Sequence, residues 1–346
     1  MTLVLAALAL TPALSAADTA ATDNPDRLRG SVEPVVAKRP YRIGVALVHL
    51  VDDYWRGMAY GILDEAKYAN VQIVRLFAAG GYGKVTEQLD QLDTLDSLGL
   101  DAIIIGATNY DGYDHALQRL AAKGGKIIAA GIPVNSSAVS LGVTMNDEEI
   151  GKAIAQFICA QKPDAEVITI PGPNGPAWNR LRFDGFEAGA KQCPSMKLVG
   201  NIFQGDTKIE DGEGQGSDLM IKYADANYIY AAAGNLAIGA ALAAKRMHMP
   251  AQLVTGTVTS KTVDLMKEGH VAMVVSEPGV LIGRALVQYT TRLLNGDELP
   301  NLRMDGTVPY KQFMVPIYQL TPANIDAYAL DKYDQPPAGW QVPSLN

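Results

Sequence analysis

From residue 41 onward, short apolar runs alternate with amphipathic segments along the chain. The apolar runs are continuous stretches of Val, Ile and Ala, which is typical of parallel strands covered on both faces. The segments between them repeat apolar residues three and four positions apart, as Leu89, Leu92 and Leu95 do within 83–98. That spacing gives one buried stripe on a helix. The pattern therefore predicts strands and helices in strict alternation.

The alternation predicts a long series of strand–helix units. Strands are expected over 41–48, 71–77, 101–106, 126–131, 140–144, 165–171, 197–203, 227–233, 252–257 and 271–276, with further extended segments at 307–312 and 314–319. Helices are expected over 54–69, 83–98, 111–123, 147–161, 177–191, 235–247, 260–268 and 279–294. Ten such units exceed the eight of a TIM barrel and favour two similar α/β halves, each a doubly wound parallel sheet.

One segment breaks the helical pattern. A weak helix is expected to end near 224, but 211–216 reads Asp-Gly-Glu-Gly-Gln-Gly. Three glycines in a helix cost roughly 1 kcal/mol each relative to alanine. We therefore expect a loop or a frayed first turn there.

The N-terminus has the features of an export signal. Residues 1–17 contain an apolar run followed by Ala-Leu-Ser-Ala, a pattern suited to signal peptidase. A membrane anchor is the alternative, although the run is shorter than the ~20 residues that a spanning helix needs. Residues 18–39 are polar, contain proline and are expected to form a flexible leader. These features predict a periplasmic protein.

Composition narrows the function. The chain has 346 residues, 48% of them hydrophobic and 19% charged, and a formal net charge of -8. The negative charge, with no Lys/Arg cluster, argues against nucleic acid as a partner. Only Cys159 and Cys193 are present. In an exported protein they either pair or remain two buried free thiols, and their spacing does not decide between these alternatives.

The sequence lacks enzyme signatures. It contains no GxSxG, HExxH or P-loop motif, and no GxGxxG follows a predicted strand. The four histidines are scattered, without metal-ligand spacing, and only His49 stands out, since it ends the first strand beside Asp52. We therefore predict a protein that is not an enzyme and that uses no metal and no cofactor.

Polar and aromatic residues instead follow one predicted strand after another. Asp52, Asp53, Tyr54 and Trp55 come directly after the first strand. In open α/β sheets ligands bind outside the carboxyl ends of the strands, where aromatic rings can stack on a sugar or surround a cation. The alternative is that an aspartate caps the helix and the rings pack beneath it.

Later strand ends repeat this arrangement. The further candidates for ligand contacts are Tyr82, Thr108, Asn146, Trp178, Arg182 and Asn235. Each one alone could be a turn residue or a helix cap. Their recurrence after the carboxyl ends of successive predicted strands favours a ligand cleft.

The order of these motifs resembles the type I periplasmic binding proteins, the ribose-binding-like clan. Residues 182–186, Arg-Phe-Asp-Gly-Phe, look like the Arg-x-x-Gly-Phe motif of that clan, whose arginine hydrogen-bonds ligand. Asn146 and Asn235 fall where sugar-binding members place asparagines, and Tyr54 and Trp55 fall where those members place stacking aromatics. The resemblance implies two lobes joined by a three-strand hinge.

Within the clan the chain is similar to the TorT-like trimethylamine N-oxide sensor proteins. The similar segments include Asp52-x-Tyr54-Trp55, 79–82 and 171–173. Members of this kind signal to a membrane histidine kinase. Met145 and the region of Thr257 lack aromatics that the sensor proteins carry, so the resemblance implies a similar scaffold with a changed pocket.

The resulting domain prediction is an N-terminal lobe of 40–143 plus 277–308 and a C-terminal lobe of 144–276 plus 309–346. The chain would cross between them near 143, 276 and 309. The predicted function is a receptor that closes on a small polar ligand and signals to a histidine kinase. The alternative is the solute-binding protein of an ABC importer, with a permease as its partner.

Overall fold

The computed structural model describes residues 27–344, and these residues form two α/β lobes. Each lobe has a six-stranded sheet, and the predicted signal peptide lies outside the described residues. Within 27–344, no helix is both long enough and apolar enough to span a membrane.

The first lobe is an all-parallel sheet with helices on its faces. Its strands are β1 (Tyr41–Leu47), β2 (Val71–Ala78), β3 (Ala102–Ile105), β4 (Lys126–Ala130), β5 (Leu141–Thr144) and β11 (Gln312–Met314). Its helices are α1 (Asp53–Tyr68), α2 (Val85–Asp96), α3 (Asp114–Ala122) and α9 (Gly279–Asn295). The strand order is β2-β1-β3-β4-β5-β11. The order reverses between β1 and β3, which is the switch point where such sheets bind ligands.

The second lobe repeats the topology. Its strands are β6 (Glu166–Ile170), β7 (Lys197–Val199), β8 (Tyr228–Ala231), β9 (Gln252–Gly256), β10 (Val271–Val275) and β12 (Gln319–Leu320). Its helices are α4 (Asp147–Gln161), α5 (Ala177–Ala190), α6 (Ile209–Lys222), α7 (Gly234–Arg246) and α8 (Ser260–Lys267). The strand order, β7-β6-β8-β9-β10-β12, matches that of the first lobe, although β12 is antiparallel to β10. A 3-10 turn (Ile325–Ala327) and α10 (Leu330–Tyr333) follow.

The passages between the sheets correct one expected boundary. The chain leaves the first sheet after Thr144 and leaves the second after Val275. The third passage follows Met314 rather than 309, because β11 pairs in parallel with β5 through Gln312, Phe313 and Met314. The first lobe therefore extends through Met314.

The leader expected over 18–39 is corrected in its second half. From Arg27 onward it packs on the first lobe: Arg27 pairs with the buried Glu65 at 2.9 Å, and Leu28 is buried. The backbone N–H of Val35 donates to the Gln288 side chain at 2.7 Å. Residues 18–26 lie outside the described residues. The polar groups of 27–39 therefore pair with buried groups of the first lobe, and this part of the segment is not a loose linker.

The glycine-rich segment expected to be a loop is part of α6. A Cβ at Gly212 would overlap the backbone carbonyl of Leu236 in α7, and one at Gly216 would lie 3.1 Å from Ala240. These glycines let α6 approach α7 closely, so the packing gained outweighs the helix propensity lost. Gly214, on the other face, meets nothing within 4 Å.

The two cysteines are joined. Cys159 in α4 and Cys193, just after α5, form a disulfide with a Cα–Cα distance of 5.9 Å. The bridge ties together the two helices that flank β6, and this resolves the alternatives that the sequence left open.

Candidate ligand-binding site

A small cleft, with a cavity volume of about 30 Å³, lies between the lobes, at the carboxyl ends of both sheets. Both lobes contribute residues, and so do the passages that join them. The cleft is lined by Asp52, Tyr54, Tyr82, Ile132, Met145, Trp178, Arg182, Thr207, Ala233, Thr257 and Glu277.

The first-lobe wall is aromatic and is held by hydrogen bonds. Asp52 caps α1 by accepting from the Trp55 backbone N–H at 3.0 Å, and this places Tyr54 in the first helical turn. The Tyr54 hydroxyl donates to the Gly131 carbonyl at 3.2 Å. The Tyr82 hydroxyl accepts from Trp55 Nε1 at 3.2 Å. Both rings are thus fixed before any ligand arrives.

The second-lobe wall is built around one buried arginine. Arg182, 1% exposed, pairs with Asp147, its Nε lying 3.2 Å from Asp147 Oδ1. It also pairs with Glu277, and its Nη1 donates to the Ala232 carbonyl at 2.6 Å. The guanidinium lies 4.9 Å from the Trp178 ring centroid, a cation–π contact. Both of its charged partners are carboxylates.

Burial and the excess of carboxylates shift the titration of these groups. Burial raises the pKa of Asp147 to about 6, against the opposing pull of Arg182. Burial by itself lowers the pKa of Arg182, but Glu277 and Asp147 outweigh it, so the net shift is upward. Burial also raises the pKa of Asp52, although His49 opposes this. The guanidinium is thus paired with two carboxyl groups, and Asp52 adds a further carboxyl group to the cleft lining.

Two polar atoms beside Arg182 lack protein partners. The indole Nε1 of Trp178 and the hydroxyl of Tyr230 are buried and have no hydrogen-bond partner among the described residues. Trp178 lines the cleft, and its ring lies 5.9 Å from that of Tyr82 in the opposite lobe. Because an unpaired buried donor is costly, Trp178 Nε1 marks a position for a ligand acceptor.

Five of the ten predicted ligand contacts line the cleft: Asp52, Tyr54, Tyr82, Trp178 and Arg182. The structure brings them together from three segments, which are α1 with its N-cap, the loop after β2, and α5, but their contact with a ligand stays a prediction.

The other five predicted residues have structural roles outside the cleft lining. Asp53 faces Arg56 at 3.5 Å, and Asn146 caps α4 by accepting from the Glu149 backbone at 3.1 Å. The fully buried Trp55 supports Tyr82 from behind.

Thr108 and Asn235 also form hydrogen bonds with neighbouring residues. The Thr108 hydroxyl bonds to that of Tyr113 at 2.6 Å, and Asn235 Nδ2 donates to the carbonyl of Thr207, which does line the cleft, at 3.3 Å.

Sequence reasoning missed the carboxylates that pair with Arg182. Glu277 follows the end of β10, so the same strand-end pattern that selected the other candidates could have found it. Asp147 begins α4, where an acidic residue is expected for reasons of helix electrostatics alone. Thr257, at a left-handed φ of 60°, donates its hydroxyl to Glu277. Within 27–344, no cluster of His, Cys, Asp and Glu has an arrangement suited to a metal ion.

Comparison with known proteins defines the class. The family model of the periplasmic binding protein domain matches residues 43–298. The chain therefore belongs to the periplasmic binding protein family, and its two parallel-sheet lobes have the type I architecture of that family. The family and the fold are those of solute-binding proteins.

Individual relatives point to two kinds of receptor. The chain is 40% identical to a substrate-binding protein of a sugar ABC transport system from Bordetella parapertussis 12822, covering 91% of this chain and 100% of that one with a TM-score of 0.89. It is 25% identical over 295 residues to the periplasmic protein TorT of Escherichia coli K12, covering 85% of this chain and 81% of TorT. It is also 25% identical to the ABC transporter periplasmic-binding protein YphF of the same organism, covering 70% and 77%.

Proposed function

We propose that this protein is a periplasmic receptor that closes on a neutral, polyhydroxylated solute of the sugar or polyol class. The observation that carries the proposal is the pairing of Arg182 with both Asp147 and Glu277. A guanidinium met by two carboxylates has no net positive charge to offer an anion. A carboxylate ligand would instead meet the carboxyl groups of Asp52 and Glu277, which line the cleft, and such juxtaposition of like charges is costly.

Hydroxyl groups suit the same arrangement. Asp52 and Glu277 can accept from a ligand hydroxyl, and Trp178 Nε1 can donate to one. The rings of Tyr54 and Tyr82 add aromatic surface of the kind that stacks on sugars. A ligand touching both lobes favours the closed state by its difference in affinity for the closed and open forms.

The partner that this proposal favours is an ABC permease. The relative with 40% identity, whose whole length the chain covers, is described as a sugar ABC transport substrate-binding protein. On this basis we favour a role as the solute-binding protein of an ABC importer over the sensor role that the sequence motifs suggested.

Signalling to a membrane histidine kinase remains the second candidate. The similarity to TorT, 25% identity over 85% of this chain, is what favours it. A ligand screen does not separate the two roles, since both need the same cleft. A pull-down from membranes with the liganded and the unliganded protein separates the two roles, because mass spectrometry identifies the captured partner as a permease or as a kinase.

The ligand class is tested by thermal shift against neutral monosaccharides, polyols, small carboxylates and trimethylamine N-oxide. A ligand at 100 times its dissociation constant adds about 2.7 kcal/mol of stability. We expect stabilisation by a neutral sugar or polyol and none by carboxylates. Stabilisation by carboxylates alone, or by trimethylamine N-oxide alone, would overturn the proposed ligand class.

The site itself is tested by Trp178→Phe, which keeps an aromatic ring and removes the unpaired indole N–H. We expect affinity for the best compound of the screen to fall about tenfold, equivalent to about 1.4 kcal/mol. Tyr223→Phe, which removes one polar atom from a ring outside the cleft, is the control and should leave affinity unchanged. Equal affinities for the two variants would contradict the role of Trp178.

A further inference from the structure

The segment after β12 starts on the second lobe. Ile325 is buried in the second lobe's core, and Tyr328 packs against that core. Asp326 pairs with Lys267 of α8 at 2.9 Å. Up to Tyr328, therefore, the C-terminal segment belongs to the second lobe.

The same segment then lies on the first lobe. The backbone carbonyl of Asp334 fits against Gly57 of α1, where a Cβ would overlap it. Further on, the Trp340 ring packs edge-on against Tyr60 of α1 with a centroid distance of 5.5 Å, and Arg56 donates to the Trp340 carbonyl at 3.0 Å. Residues 328–340, which we call the strap, thus cross between the lobes a fourth time, a crossing that the three expected ones did not include.

A buried carboxyl group ties the strap to the hinge. Asp334 is 2% exposed, and its Oδ2 accepts from the Tyr328 hydroxyl at 2.6 Å. The backbone amide of Glu277 faces this carboxyl group closely enough to lower its pKa. Glu277 is the residue whose side chain pairs with Arg182 in the cleft. One hinge residue therefore faces the strap through its backbone while it contacts the cleft through its side chain.

The N-terminal segment reinforces this crossing. The Arg29 guanidinium lies 3.8 Å from the ring centroid of Tyr318, 4.5 Å from that of Tyr333 and 5.6 Å from that of Tyr328. Tyr318 belongs to the third passage between the lobes, and its backbone N–H donates to Ser276 at 2.9 Å. A residue from the first lobe's N-terminal segment thus contacts both the strap and the third passage, which is itself hydrogen-bonded to the second passage at Ser276.

We infer that Asp334 and Tyr328 are positioning residues that restrain the lobes in the closed arrangement and hold Glu277 in place against Arg182. Opening moves the second lobe, which carries Tyr328, relative to α1, which carries the docking surface for Asp334. The hydrogen bond between the two side chains and the packing of the strap on Gly57 cannot both persist through that movement. The strap therefore opposes opening, in addition to the contacts that a ligand supplies.

The pH response of the strap follows from the same burial. Burial raises the pKa of Asp334 to about 8, partly offset by the Tyr328 hydrogen bond, while Glu277 raises it and Arg29 lowers it. Because this folded-state pKa lies above the ordinary value near 4, the docked strap favours the protonated acid. Its restraint is complete below about pH 4, weakens progressively as the pH rises from there, and is lost once the pH passes about 8.

The test measures lobe opening directly, without ligand, so that its outcome does not depend on the proposed sugar specificity. Spin labels on Lys84→Cys and Lys208→Cys place one probe on each lobe at exposed positions, and both native cysteines are engaged in the disulfide. Double electron–electron resonance then gives the interlobe distance distribution. The strap variants are Asp334→Asn and Tyr328→Phe, and the latter removes a single hydroxyl. Asp331→Asn, at an exposed carboxylate of α10, is the matched control.

We expect Tyr328→Phe to increase the population at longer distances by about twofold or more, as a shift in a two-state equilibrium. Asp334→Asn, a neutral mimic of the protonated acid, should keep the strap docked, and Asp331→Asn should match the wild type. Raising the pH from 6 to 9 should open the wild type and leave Asp334→Asn closed. If Tyr328→Phe lowers the melting temperature but leaves the distance distribution unaltered, the strap is only a structural element and the inference is wrong.

Discussion

The two lobes share one topology but build opposite walls of the cleft by different means. Both sheets have the same strand order, and both present the carboxyl ends of their strands to the cleft. The first-lobe wall consists of Asp52 and of neutral rings held by single hydrogen bonds from Tyr54 and to Tyr82. The second-lobe wall depends on a buried ionic cluster around Arg182.

The difference shows where ligand recognition is robust and where it is sensitive. Removing one hydroxyl from the first wall leaves a buried ring in place and costs about 0.5–1.5 kcal/mol for a typical hydrogen bond. Removing the charge from the second wall leaves two carboxylates buried without a counterion. The second wall therefore combines ligand contact with stability, while the first mainly supplies surface.

The largest expected effect is that of Arg182→Ala. Loss of the guanidinium leaves Asp147 and Glu277 unpaired, and breaking a buried ion pair in this way costs about 3–5 kcal/mol. Urea denaturation at pH 7.5 measures the loss. The cost should shrink below pH 6, where the Asp147 carboxyl group, with its pKa raised to about 6 by burial, is neutral.

Arg180→Ala is the matched control, because it removes an arginine from the same helix two positions before Arg182. The Arg180 side chain is 55% exposed and lies 3.9 Å from Asp184, so its loss should change the free energy of unfolding by less than about 1 kcal/mol. Tyr54→Phe supplies the first-lobe comparison. If Arg182→Ala were no more destabilising than Tyr54→Phe, the two walls would not differ in the way described.

A second contrast is that the second lobe carries the disulfide. Cys159 and Cys193 are 34 residues apart, and a cross-link of this length stabilises by about 2–4 kcal/mol. The double variant Cys159→Ala/Cys193→Ala should lose that amount in urea denaturation. Ligand affinity should be preserved, because neither cysteine lines the cleft. A large loss of affinity with intact stability would place the disulfide in the site rather than in the scaffold.

The smallest effects distinguish two faces of one helix in the second lobe. Gly212→Ala forces a methyl group into the Leu236 carbonyl and should cost about 1–3 kcal/mol. Gly214→Ala has open space and should stabilise the protein by about 0.5–1 kcal/mol through helix propensity. Thermal denaturation of the two variants compares them directly, and destabilisation by both would mean that α6 is not packed as described.

Much of the fold could be predicted because its signals are local. The continuous apolar runs predicted the first ten strands, but the extended segments expected at 307–312 and 314–319 overlap β11 and β12 only at their ends, and β12 is antiparallel. The glycine segment of α6 could not be predicted, since its helix is stabilised by close contact with α7 and not by its own residues. The packing of residues 27–39 escaped for the same reason: their polar groups bond to side chains more than 200 positions away, as Val35 does to Gln288.

The sequence by itself determined the repeated strand–helix pattern, the two lobes and the aromatic first wall, because each depends on residues within a few positions of one another. Only the tertiary structure decided that Arg182 is neutralised by Asp147 and Glu277, since those residues lie 35 and 95 positions from it and meet only when β10 and α4 are both placed beside α5. It also decided that the C-terminal strap returns to the first lobe. Charge pairing and interlobe contact are properties of distances in space, which residue types and spacing do not contain.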